Sequence, residues 1–141
     1  MKDKYRKYSV ILTVTLMLVS IFMSFGVTSI FTGCTGLKDD GNYMRCHWAQ
    51  NVIVLIAAAN ACSYLIGVFV KNYSIRRGIL ITGIINSVVT IILTNNIVIK
   101  LCMSKEMHCW THMKPAVTAI SVLLIIIGVI NYIFTKKLEE L

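Results

Sequence analysis

The sequence predicts an all-α fold, an integral membrane four-helix bundle made of two antiparallel helical hairpins. Apolar residues make up 57% of the 141 residues, charged residues make up only 14%, and the mean hydropathy is +0.76. This is far more apolar than a soluble domain of similar size. A helix needs about 20 apolar residues to cross a bilayer. Four such runs lie at residues 9–31, 48–70, 78–99 and 116–134, so residues 1–141 are predicted to form a single transmembrane domain.

The formal net charge of +8 raises the question of a nucleic-acid partner, and its distribution argues against one. Nine of the 14 Lys and Arg residues precede run one, separate runs two and three, or follow run four. The other five lie in the segments 32–47 and 100–115, together with three acidic residues. By the positive-inside rule, both termini are cytoplasmic and these two segments are outer loops. The basic excess is therefore a topological signal, with some attraction for anionic membrane lipid.

The N-terminal segment raises the alternative of a cleaved signal sequence. Polar and basic residues 1–8 precede the first apolar run, and Phe31-Thr32-Gly33-Cys34 approaches the box at which lipoproteins are cleaved and lipidated on cysteine. The run is long for a signal sequence, and Phe31 stands where such a box has a small aliphatic residue. We therefore expect run one to be retained as a membrane helix.

Polar and aromatic residues within and beside the runs predict how the helices are arranged. Asn60 in run two and Asn86 in run three are predicted to form a polar contact between helices, because amides hydrogen bond across helices in lipid. The short link 71–77 makes these two helices an antiparallel pair. Trp48 and Trp110 suit the headgroup level and are predicted to anchor the bundle at the membrane interface.

A short motif with a cysteine occurs once in each predicted outer loop. The copies read Met44-Arg45-Cys46-His47-Trp48 and Met107-His108-Cys109-Trp110-Thr111-His112, and each has a further cysteine upstream, Cys34 and Cys102. Each half of the chain thus has an outgoing helix, a cysteine, a polar stretch, the motif and a returning helix. This pattern is a loose repeat of helical hairpins about an axis along the membrane normal.

Structural disulfides are the predicted role of the loop cysteines, because four of the five cysteines face the oxidising side in this topology. Four cysteines allow three pairings, and the local one, Cys34 with Cys46 and Cys102 with Cys109, is the simplest. A disulfide of this kind typically stabilises a protein by about 2–4 kcal/mol. Cys62 is left over within run two and is predicted to be a small buried apolar residue.

Thiol–disulfide exchange and copper binding are the alternatives to structural disulfides. The topology matches that of membrane oxidases that pass electrons to quinone, but the sequence has no Cys-x-x-Cys pair and shows no Arg within a helix to meet a quinone. Thioether and imidazole groups suit Cu(I), although cysteines held in disulfides cannot act as thiolate ligands. No cofactor is expected if the two outer loops are closed by disulfides. The candidate copper ligands are Met44, His47, Met107, His108 and His112.

The motif residues resemble the DUF4418 family, which are small bacterial four-helix membrane proteins with a Met-x-Cys-His element after helix one and a related cysteine element before helix four. The second copy departs from this pattern because His108 precedes its cysteine. The resemblance covers nearly the whole chain. It implies the four-helix fold, a multi-pass location in the bacterial plasma membrane and an accessory role beside ABC transporters, but no established activity. The matching residues are Met44, Cys46, His47, Trp48, Cys102, Met103, Met107 and Cys109.

The predicted function is that of a non-enzymatic accessory subunit that binds a membrane partner such as an ABC transporter permease. A chain of this size has little room for a translocation path of its own. Paired-carboxylate chemistry is not indicated, because Asp39 and Asp40 are adjacent in a glycine-rich turn. No ionisable residue is required to lie within a helix, so a proton-relay pump lacks its usual marker.

Overall fold

The fold is described by a computed structural model, which covers residues 1–30, 41, 45–95 and 109–141. Within these ranges the chain forms four α-helices and no strand: α1 (Lys2–Ser29), α2 (Arg45–Phe69), α3 (Tyr73–Thr94) and α4 (Lys114–Glu140). A short π-helix, Cys109–Met113, leads into α4. Each of the four α-helices is long and apolar enough to cross a membrane. The prediction of an all-α membrane bundle is therefore confirmed.

The helices run up and down in chain order, and α4 closes the bundle by packing against both α1 and α3. Ser9, near the start of α1, contacts Asn131, near the end of α4. Gly67, near the end of α2, faces Thr13 in α1 and Ile79 in α3. Both termini and the α2–α3 link therefore share one end of the bundle, here called the termini end. The opposite end, where α2 and the π-helix begin, is called the motif end.

The helices extend beyond the predicted apolar runs, and α3 is shifted toward the N-terminus. Helix α1 begins at Lys2 rather than residue 9, and α4 continues to Glu140 rather than residue 134. Helix α3 spans Tyr73–Thr94 rather than 78–99, and the Asn72 side chain caps it by accepting from the Ser74 amide at 3.0 Å. A count of apolar residues measures only the hydrocarbon crossing, whereas helical hydrogen bonding continues through polar residues at the headgroup level.

The interior of the bundle combines apolar side chains with small and polar ones, and its outer surface is apolar. Buried residues of α3 recur every three or four positions, and its outward residues include Ile75, Ile81 and Ile85. In lipid, burial of apolar side chains does not drive helices together, so small residues that permit close approach take that role. The buried hydroxyls of α3 bond back to carbonyls of their own helix, as Ser87 does to Gly83 at 2.9 Å. The buried residues of α3 are Arg76, Leu80, Gly83, Ser87, Thr90 and Thr94.

The closest approach between α2 and α3 places Tyr64 directly over Gly83. Tyr64 is a large side chain that is only 1% exposed. A Cβ atom added at residue 83 would overlap the Tyr64 hydroxyl and lie 2.7 Å from Tyr64 Cζ. Helix packing at this level therefore requires a residue without a side chain at position 83.

We expect Gly83→Ala to lower the free energy of unfolding by about 1–3 kcal/mol, because the added methyl group overpacks the contact with Tyr64. Gly78→Ala is the matched control, since nothing lies within 4 Å of a Cβ at that position and α3 gains helix propensity. Reversible unfolding of both variants in the same detergent measures the difference. Equal stabilities for the two variants would contradict the packing described here.

Candidate functional site

Most residues of the predicted loop site lie outside the described part of the chain. These residues are Cys34, Met44, Cys102, Met107 and His108. The two disulfides and the copper site that were predicted on them therefore stay predictions. The described residues of the motif nevertheless show where each copy sits on the backbone.

Both copies of the motif lead into a returning helix, and both do so at the motif end. Cys46 is the second residue of α2, and Cys109 is the first residue of the π-helix before α4. The side chains of these two cysteines and of Trp110 are outside the described part of the structure. Parts of the segments predicted as outer loops, 32–47 and 100–115, are thus helical.

The histidines and the tryptophan whose side chains are described lie at or near the surface of the motif end. The His47 and Trp48 rings meet edge to face at 6.1 Å, and His47 Nε2 is 3.5 Å from Asn51 Nδ2 one turn later. Trp48 is 62% exposed. His112, in the π-helix, is also exposed. Within the part of the chain that the structure describes, no three His, Cys, Asp or Glu side chains gather as a metal site.

Asn60 and Asn86 meet across α2 and α3. Asn86 Nδ2 donates to Asn60 Oδ1 at 2.8 Å, and Asn60 is only 2% exposed. Asn60 Nδ2 has no hydrogen-bond partner among the described residues. A hydrogen bond between helices in a membrane is worth about 0.6 kcal/mol on average, so this contact contributes to helix pairing and orientation.

The prediction for Cys62 was wrong, because its side chain is exposed on the outer face of α2. The buried face of this helix passes through Ala57, Asn60 and Tyr64. Residue 62 falls between these positions and points away from the bundle. A thiol is apolar enough to face lipid, so hydropathy alone did not distinguish the two faces.

A cluster of buried polar side chains joins α1 to α4 at the termini end. Ser9 Oγ donates to Asn131 Oδ1, and Asn131 Nδ2 donates to Thr13 Oγ1, both at 2.9 Å. The hydroxyls of Ser9 and Thr135 are 3.1 Å apart. All four residues are buried, so their polar groups satisfy one another within the bundle.

Arg76 adds an uncompensated charge to this cluster. The residue is 6% exposed, and its Nη2 donates to Ser9 Oγ at 3.1 Å and to Thr13 Oγ1 at 3.4 Å. No described carboxylate forms an ion pair with it. A buried charge without a partner costs several kcal/mol. An ionisable residue buried among membrane helices is by default a marker of function.

Arg76 is an ionisable residue within a helix that the sequence analysis did not identify. Arg76 was assigned to a cytoplasmic link at 71–77, whereas α3 begins at Tyr73 and carries Arg76 into the bundle. The sequence signal that would have identified Arg76 as buried is the spacing of the residues on the buried face of α3. Arg76 precedes the buried residues Leu80, Gly83 and Ser87 in steps of four, three and four.

The neighbouring Arg77 has the opposite environment, since its charge is compensated. It forms an ion pair with Glu139 and donates to the Tyr132 hydroxyl at 3.3 Å. Its guanidinium also lies 5.4 Å from the centre of the Tyr132 ring. Ser74 Oγ donates to Glu139 Oε1 at 3.1 Å. These contacts fasten the last turn of α4 to the start of α3.

Comparison with known protein families assigns the chain to a family. A family model described as "Domain of unknown function (DUF4418)" matches residues 11–134. The chain belongs to the DUF4418 family. Neither the curated proteins nor the solved structures contain a match to it. The family assignment confirms the resemblance seen in the motif residues. The description of DUF4418 names no activity, so function has to be argued from the residues.

We expect Arg76→Met in this DUF4418 protein to leave the free energy of unfolding in neutral detergent unchanged or to raise it by about 1–4 kcal/mol. Methionine is of similar length and removes the buried charge, while Ser9 and Thr13 keep their hydrogen bonds to Asn131. Arg77→Met is the matched control and is expected to destabilise, because it leaves Glu139 without its partner.

Reversible unfolding of the two methionine variants in the same neutral detergent provides the comparison. A larger loss of stability for Arg76→Met than for Arg77→Met would mean that Arg76 is mainly structural.

Proposed function

We propose that the protein is a multi-pass protein of the bacterial plasma membrane with both termini in the cytoplasm. The support is the charge distribution: nine of the 14 Lys and Arg residues belong to segments 1–8, 71–77 and 135–141. Helix packing gathers these three segments at the termini end. An excess of Lys and Arg favours retention of the loops and termini that carry it in the cytoplasm.

We further propose that the protein is a non-enzymatic accessory subunit that binds an integral membrane partner, such as the permease of an ABC transporter. The observation that carries this proposal is the distribution of side chains across the bundle. Interior positions such as Leu16, Ile53 and Leu124 are at most 1% exposed, whereas large apolar side chains project from all four helices. These interior positions are closed to solvent, and the outer surface offers apolar side chains to lipid and to the helices of a partner.

The polar contacts between helices also support a docking role. The Ser9–Asn131 hydrogen bond ties α1 to α4, and the Arg77–Glu139 ion pair ties α3 to α4. A surface held in one arrangement loses less conformational entropy on binding than a mobile one. The predicted disulfides between Cys34 and Cys46 and between Cys102 and Cys109 would brace the loops at the motif end in the same way.

We expect a membrane partner to cross-link to one outward face of the bundle. The tagged protein is cross-linked in its native membrane and then recovered in mild detergent. A photoreactive amino acid placed at an outward position of each helix maps that face. Leu124, which is 1% exposed, is the matched inward control and should give no cross-link to another protein. The outward positions are Phe25, Leu55, Ile85 and Ile126.

The accessory role is supported if one partner protein cross-links to neighbouring outward positions and is recovered in a fixed molar ratio to this protein. Recovery of the protein alone, with lipid adducts at all four outward positions, would reject the role.

Thiol–disulfide exchange or copper binding at the motif end is the alternative function. It is supported by the backbone positions of Cys46 and Cys109, each of which begins or nearly begins a helix. The first turn of a helix favours negative charge, and thiolate is the reactive and metal-binding form of cysteine. Methionine and histidine in the same motif are suitable companions for Cu(I).

Mass analysis of alkylated protein with and without prior reduction distinguishes the braced loops from this alternative. We expect two disulfides in the unreduced protein and a single alkylated thiol at Cys62, which is exposed on α2. Four further thiols that alkylate without reduction would contradict braced loops and favour exchange chemistry. Metal analysis of protein purified without chelator then tests copper, and a stoichiometric copper content would support the metal site.

A further inference from the structure

A cavity of about 310 Å³ lies beside Arg76 at the termini end. It is formed by the start of α1, the end of α2 and the start of α3. Three cationic side chains line it, those of Arg6, Lys71 and Arg76, together with Tyr73. Phe69 and three valines supply apolar walls, and none of the lining residues is acidic. The cavity therefore combines concentrated positive charge with an apolar surface.

We propose that this cavity binds the phosphate group of an anionic phospholipid. The central observation is that Arg76 is more than nine-tenths buried and has no carboxylate partner among the described residues. Both of its hydrogen bonds to described residues come from Nη2, so Nε and Nη1 have no partner within that part of the chain. The planar guanidinium group presents paired donors that match two phosphate oxygens.

The charges around Arg76 are arranged to attract an anion. Arg6 is close enough to Arg76 to repel it, and Lys71 adds a third positive charge to the same cavity. Asp3 lies with Arg6 and Lys7 in a neighbouring cavity and does not line this one. Arg77 is neutralised by Glu139 on the α4 side and takes no part. A bound phosphate would relieve the repulsion that these three cations create.

The apolar walls favour a lipid over a free anion. The Val10 and Val68 side chains line the cavity, and Phe69 extends from it to the outer surface, where it is 77% exposed. A phosphate on a glycerol backbone would place its charge on the arginines and its acyl chains along the apolar face of the bundle. The termini end carries most of the basic residues, and cytoplasmic leaflets are rich in anionic lipid. The inference is independent of whether the protein is an accessory subunit.

Binding of dioleoyl phosphatidylglycerol to the purified full-length protein tests the proposal. The protein is titrated in neutral detergent micelles, and native mass spectrometry counts the bound lipids. Dioleoyl phosphatidylcholine serves as the lipid without net charge, and inorganic phosphate serves as the free anion. The test variant is Arg6→Gln combined with Lys71→Gln, and the matched control is Lys136→Gln combined with Lys137→Gln. All four side chains are exposed at the same end of the bundle.

We expect one tightly bound phosphatidylglycerol in the wild-type protein and an affinity about tenfold or more lower in the Arg6/Lys71 variant. The Lys136/Lys137 variant, which loses the same charge, should bind almost as the wild type does. Arg76→Met should lose the tight site while keeping its helical content. Phosphatidylcholine and millimolar phosphate should not displace the lipid.

Equal loss in the two double variants would overturn the proposal, because binding would then depend on net charge alone. Tight binding of inorganic phosphate that disappears in the Arg6/Lys71 variant would also overturn it, because the site would then serve a soluble anion. Retention of the tight site in Arg76→Met would reject the role given to the buried guanidinium.

Discussion

Helices that cross a bilayer gain little from burying apolar side chains against one another, because lipid is as apolar as the side chains themselves. This constraint explains why small and polar residues share the interior with apolar ones, while the outer surface is apolar. Its cohesion comes from close approach, as at Tyr64 and Gly83, and from hydrogen bonds between helices, as at Ser9 and Asn131. The polar groups in the interior need partners, and their pairing selects one arrangement of the four helices.

The two ends of the bundle contain different chemistry. At the motif end, two copies of a cysteine motif lead into α2 and α4, and the motif residues carry soft groups: cysteine sulfur, thioether and imidazole. At the termini end, the chemistry is cationic, and two adjacent arginines have different roles. Arg77 is paired with Glu139 and fastens helices together, whereas the described hydrogen bonds of buried Arg76 go to the hydroxyl groups of Ser9 and Thr13. A stability role accounts for the first arginine, and binding of an anion accounts for the second.

The sequence predicted the four spanning helices because a helix of about 20 consecutive apolar residues matches the thickness of the hydrocarbon core of a bilayer. It also pointed to Asn60 and Asn86, which do meet, because amides inside an apolar run have few other partners. It misplaced Cys62 and Arg76, because hydropathy does not report which face of a helix is buried.

Contacts between distant parts of the chain were outside the reach of sequence reasoning. The network around Ser9 and Asn131 joins residues 122 positions apart, and no local pattern records such a pairing. The position of α3 was missed for a related reason. Its start depends on the Asn72 cap rather than on hydropathy. Periodicity on the buried face of α3, from Ser87 back to Arg76, was the signal that could have corrected both the helix boundary and the arginine.

The position of Asn131 has a consequence for biosynthesis. Ser9 and Thr13 enter the membrane first, but the amide that bonds to both belongs to the last helix. The polar side chains of Ser9 and Thr13 therefore lack their final partner while the ribosome is still making α4. Until then they depend on water, on the insertion machinery or on lipid headgroups. Closure of this bundle is thus a late event, completed only when the C-terminal helix inserts.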